Sequence, residues 1–169
     1  MTLTDNYKTY VIEEKEDQTM SIEKNNDVQL YTVLESINEL TNDSMCVLNH
    51  LFVNEGNEPQ FESKFLKRTK YLQDVPGFKA LRFLRPQTKH RHYIILTLWK
   101  DRQSFYDWQS SDAYGKTHKK RGTKQGVDNK IVNRDLSYNV RIELANLETS
   151  IDIDLSLIHI SEPTRLLSI

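Results

Sequence analysis

A single cysteine, Cys46, in 169 residues excludes a disulfide framework and a cysteine metal site, and favours a reducing compartment. Charge of one sign is missing too. A net charge of −1 gives no global pull toward nucleic acid or an anionic membrane, so any positive patch must be local. No apolar run approaches the ~20 residues that a membrane span needs. The opening "MTLTDNYKTYVIEEKEDQ" has neither a basic n-region nor an apolar h-region, so no signal peptide is expected. The motifs GxGxxG, P-loop, HExxH, GxSxG and CxxC are all absent. What is present, 37% hydrophobic and 28% charged residues, suits a packed core of one domain, or one domain plus a small partner. A soluble cytoplasmic protein is expected, with no nucleic-acid or membrane partner.

Residues 155–169, "LSLIHISEPTRLLSI", break abruptly from the acidic "NLETSIDID" before them and resemble the translation of a sequencing-library adapter. They are set aside as a non-native tail, and His159 receives no functional weight.

From Asp43 onward the pattern is regular. "MCVLNHLFV" (45–53) is apolar on both faces, as in a strand covered on both sides. "QFESKFLKRTKYLQ" places Phe61, Phe65, Leu66 and Leu72 at helical spacing, and "DVPG" ends that helix. "FKALRFLRP" and "HYIILTLWK" read as strands joined by the turn "QTKHR". Asp101 is a candidate N-cap for a helix beginning "RQSFYDW". The stretch "GTKQGVDNKIVNRDL" reads as a loop before a last strand, "SYNVRIEL". The order β-α-β-β-α-β predicts an α+β, ferredoxin-like unit over residues 44–147, with both helices on one face of an antiparallel sheet. Residues 1–43 read as strand ("KTYVIEEK"), strand ("TMSIEK") and helix ("VQLYTVLESINEL"), a partial ferredoxin-like copy.

Chemistry concentrates in "DWQSSDAYGKTHKKRG", where Trp108 stands ten residues before His118 and Lys119, Lys120 and Arg121 follow at once. Taken singly, each residue has a plainer reading. His118 can be a solvated helix histidine, and Trp108, with Phe105, can be core packing. Asn49 is depleted from strands by type, yet its neighbours Val47 and Leu51 point to burial; structural hydrogen bonding and ligand contact both fit it. His90 and His92 read as exposed turn histidines. Together, Asn49, Trp108 and His118 would line one cleft with a cationic rim. Such a cleft suits a flat, apolar, iron-bearing ligand with carboxylate edges.

"CVLNHLFV", "VPGFKALRFLRP", "YIILTLWKDRQSFYDWQSSDAYGKTHKKRG" and "SYNVRIEL" resemble the IsdG/HmoB heme-degrading monooxygenases, within the antibiotic biosynthesis monooxygenase (ABM) superfamily. The resemblance spans roughly residues 6 to 144 and implies a dimeric α+β barrel type of fold. It also implies heme as substrate and cofactor, O₂, and electrons from an external reductase. By the same resemblance His118 is the axial iron ligand, Asn49 a hydrogen-bond donor on the O₂ side, and Trp108 the wall that distorts the porphyrin. Lys119, Lys120 and Arg121 would keep the imidazole neutral and could pair with propionates. The assembly implied is a monomer with an internal pseudo-dimer, or a homodimer. Three alternatives remain open: a non-catalytic heme carrier or sensor, a signalling or stress module like the staphylococcal TRAP proteins, and a cofactor-independent quinol-type monooxygenase.

Overall fold

The structure, a computed structural model, describes residues 2–4, 9–42, 45–111, 130–143 and 159–160. The chain begins with four strands, β1 (Thr2–Thr4), β2 (Thr9–Lys15), β3 (Thr19–Lys24) and β4 (Asp27–Ile37). There follow β5 (Met45–Val53), α1 (Glu58–Leu66), a 3₁₀ turn (Thr69–Asp74), β6 (Phe78–Pro86) and β7 (Tyr93–Trp99). Last come α2 (Arg102–Gln109), β8 (Val132–Glu143) and the two-residue β9 (His159–Ile160), which pairs with β8. Among the described residues these strands form one sheet in the order β1-β2-β3-β4-β6-β7-β5-β8-β9. Every pairing is antiparallel. The section β6-β7-β5-β8 is the ferredoxin-like order, with α1 and α2 as its crossovers.

Two apolar clusters explain why the central strands are hydrophobic throughout. On one side Val47, Leu51, Phe83, Ile95 and Trp99 pack under Phe61 and Phe65 of α1 and Phe105 and Trp108 of α2. On the other, Cys46, Leu48, Leu96, Leu98, Val140 and Ile142 pack against Tyr10, Ile12, Met20 and Ile22 of β2 and β3. The sheet therefore curls over itself, and the Lys24 ammonium of β3 lies 5.9 Å from the Tyr138 ring of β8. The N-terminal strands cover the face that an open ferredoxin-like sheet would leave to water or to a second copy.

The helix expected over "VQLYTVLESINEL" is a strand, β4, hydrogen-bonded to β3 and β6. A β-bulge explains why it read as a helix. The register shifts between Val33 and Glu35, so Tyr31 and Val33 face the meander side while Ile37 faces the helix side. Tyr31, Leu34 and Ile37 thus acquire a spacing of three without helical backbone. Asn25 and Asn26, at φ 51° and 72°, turn β3 into β4 by the two-residue, left-handed turn that asparagine tolerates. Two smaller corrections follow. The first helix breaks after Leu66 into the 3₁₀ turn, and the last strand starts at Val132, inside the stretch expected to be loop. Among the described residues no helix is long and apolar enough to cross a membrane.

Candidate active site

Asn49 sits mid-strand in β5, between Ile95 of β7 and Asn139 of β8, and is 0% exposed. Alternation along β5 puts it on the helix-covered side with Val47 and Leu51. A carboxamide there displaces a Val or Ile that would pack at no polar cost, so its presence calls for a polar reason.

Trp108 belongs to α2, whose start is fixed by Asp101. The Asp101 carboxylate accepts a 2.8 Å hydrogen bond from the Ser104 N–H, as the sequence predicted. That bond holds the Asp101 carboxyl below its usual range. Trp108 is 2% exposed, stacks on Trp99 at 5.2 Å, and donates its indole N–H to the Tyr71 hydroxyl at 3.2 Å. Its ring is backed by one aromatic and pinned by a hydrogen bond, which makes it a stiff wall. Trp99 pairs with Met45 at one end of β5, and four residues of strand, about 13 Å, separate Met45 from Asn49. Asn49 and Trp108 thus occupy the same layer between sheet and α2. His118, Lys119, Lys120 and Arg121 lie outside the described residues.

The turn histidines separate. His90 is exposed, at φ 63°. His92, expected to be exposed, is half-buried. Its Nε2 is 2.7 Å from the Leu136 carbonyl oxygen, and its ring meets His50 and Phe52 edge-on. Burial, reinforced by Arg91 and Lys24, holds its imidazole below the ordinary value. Among the described residues no group of three or more His, Cys, Asp or Glu is placed to hold a metal ion. Cys46 is buried on the meander side, and burial pushes its thiol far up, so it is no nucleophile.

Sequence reasoning missed buried polar side chains in the same layer, among them Asn139 and Arg141 of β8 and Gln109 at the end of α2. The signal was available in "SYNVRIEL", where Asn139 and Arg141 alternate with Val140 and Ile142. The apolar pair fixes the meander side, so the polar pair must turn under the helices.

An all-antiparallel ferredoxin-like sheet with two helices on one face defines an ABM-type fold, with the buried Asn49 and Trp108 in the layer between sheet and α2. Residues 44–120 match the antibiotic biosynthesis monooxygenase family. A heme oxygenase (staphylobilin-producing) from Staphylococcus aureus strain Newman is 35% identical over 100 residues, covering 54% of this chain and 92% of that protein. Among solved structures, a major regulator of staphylococcal pathogenesis superposes with a TM-score of 0.66 at 19% identity. It covers 85% of this chain and 83% of that one. LmHde, a heme-degrading enzyme from Listeria monocytogenes, gives 0.53 at 14% identity over 79% of this chain and 83% of that one. At such identities the two structures speak for the fold alone. The chain belongs to the IsdG/HmoB family of the antibiotic biosynthesis monooxygenase superfamily.

Proposed function

We propose that this protein binds heme between α2 and the sheet and degrades it with O₂ and electrons from an external reductase, releasing iron. The observation that carries the proposal is Asn49: a carboxamide at full burial on a central strand, in the same layer as Trp108, in a chain 35% identical to a heme oxygenase. The chemistry of the described residues in this layer supports the reading. Aromatic rings line one side of the layer, and buried polar groups, Asn49, Asn139, Gln109 and Arg141, lie at its sheet and α2 borders.

The redox chemistry is that of heme itself, which is both substrate and cofactor. Within this proposal His118 holds the iron as a neutral imidazole, and the adjacent Lys119, Lys120 and Arg121 disfavour a further positive charge on it. Asn49 offers an amide donor on the O₂ side of the pocket. Trp108, stiffened by Trp99 and Tyr71, would be the rigid ring against which the macrocycle packs. Residues 44–147 form the monooxygenase unit, residues 1–43 its N-terminal cover, and residues 155–169 a non-native tail.

Hemin added to the protein, then ascorbate under air, tests this. Loss of the Soret band with iron release is expected. A Soret band that forms and persists would indicate a carrier or sensor. No hemin binding would leave the signalling module or the quinol-type monooxygenase.

A further inference from the structure

Among the described residues two arginines, Arg82 and Arg141, are buried as whole side chains, and they are treated differently. Arg82 of β6, on the meander side, donates from Nε to Glu14 at 2.6 Å and from Nη1 to the Ile37, Asn38 and Leu81 carbonyls. Its charge is paired and its donors are used. Arg141 of β8 is as deeply placed, 5% exposed, but has a single hydrogen bond among the described residues, from Nη1 to the Tyr106 hydroxyl at 3.3 Å. Its Nε and Nη2 are fully buried and meet no acceptor there, nor does any carboxylate pair with it. The rings of Phe105 and Tyr106, 5.2 and 5.5 Å from its guanidinium carbon, hold the group beneath α2.

A buried cation with two donors that meet no acceptor among the described residues is costly, because burial strips its water without replacing it. A neighbour shares the condition. Gln109 lies one turn beyond Phe105 and Tyr106, on the stripe that covers Arg141, and its buried Nε2 also lacks an acceptor among the described residues. Arg141 pairs with Val47 and Asn139 with Asn49, so the guanidinium belongs to the layer that holds the candidate site. Donors of this kind, a planar fork under α2 and an amide on the same helix, match a carboxylate.

We propose that Arg141, assisted by Gln109, receives a carboxylate of the ligand, which under the heme reading above is a porphyrin propionate. The role is positioning: a charged edge anchored at β8 fixes how the ring is turned against Trp108. Neither residue takes part in the reaction itself.

The test compares hemin with hemin dimethyl ester, whose propionates are capped and uncharged. Binding to the parent, Arg141→Met, Arg141→Lys and Gln109→Leu proteins is followed by Soret titration, with the thermal midpoint of each ligand-free protein. The parent is expected to prefer the diacid tenfold or more. Arg141→Met should bind both porphyrins alike, Arg141→Lys should keep part of the preference, and Gln109→Leu should reduce it. The ligand-free Arg141→Met protein should melt no lower than the parent, because Met keeps the stem and removes a charge that no carboxylate among the described residues pairs with. A parent that binds both porphyrins equally would overturn the proposal even if the variants fail to fold. So would an Arg141→Met protein that loses both ligands equally and melts lower, which is the behaviour of a structural arginine. A parent that binds neither porphyrin rejects the heme reading, and this assignment with it.

Discussion

Asn49→Ala separates the proposed enzyme from a binding protein, because it removes an amide while leaving His118 and Trp108, the proposed iron ligand and pocket wall, unchanged in sequence. The residue is completely buried between Ile95 and Asn139. Truncation removes its hydrogen bonding and strands the groups it serves, which costs on the order of 1–3 kcal/mol of folding stability. For a chain of this size, each kcal/mol lowers the melting midpoint by roughly 2–4 °C. Under the proposed function heme affinity should fall less than tenfold, since ring burial and His118 would carry most of it. Turnover should fall further. A preorganised donor in a water-excluded site contributes about 3–4 kcal/mol to a charge-developing step, roughly a hundredfold or more in rate. Asn49→Leu sharpens the comparison, because it fills the space with an apolar group: stability should recover relative to Ala while turnover stays low. Thermal midpoint, hemin affinity and single-turnover Soret decay on the same preparations supply the three numbers. An Asn49→Ala protein that melts lower yet degrades heme at the parent rate per folded molecule would refute the catalytic role.

Further expectations can be checked with standard measurements. His118→Ala should abolish the axial-ligand spectrum and most turnover, whereas His90→Ala, in an exposed turn, should change neither; equal losses would move the site to the "KHRH" hairpin. Stability should decline as pH falls below the ordinary histidine value of about 6.5, because the unfolded chain takes up a proton there that half-buried His92 resists. His92→Gln should flatten urea midpoints measured between about pH 7 and 5. Glu62 adds a separate step at lower pH. Burial alone would raise its carboxyl, but hydrogen bonds from Arg85 and Tyr93 outweigh burial and lower it, so this contribution is lost only as pH falls from 4.5 toward the folded value. Gly77→Ala should cost about 2 kcal/mol or more in a urea melt, since φ is +83° and an added Cβ would run into the Ser104 side chain.

The core of the fold was legible because β5 and β7 carry nearly unbroken apolar runs, and a strand buried on both faces reads that way under any tertiary context. β4 was not legible. Its bulge exchanges faces midway, and a period of two with one inserted residue imitates a period near three. The first half of β8 was hidden for another reason: "VNRDL" is polar, and Leu136 is exposed in the structure. At the site, an asparagine among Val47 and Leu51 announced its own burial, and Trp108 proved as buried as its apolar stripe suggested. Arg141 escaped because arginine is normally read as surface; only the alternation with Val140 and Ile142 shows which way it turns.

The curled N-terminal strands have a consequence for how this molecule stands up to dilution. When the second face of such a sheet is sealed by a twin, folding and association are one equilibrium, and the melting midpoint drifts with protein concentration. Here Tyr10, Ile12, Met20 and Ile22 perform the sealing from within the same chain. Their local concentration is set by the two hairpins that join β2, β3 and β4, not by how many molecules are in solution. A sheet closed in this way has its second face covered without calling on another copy of the chain.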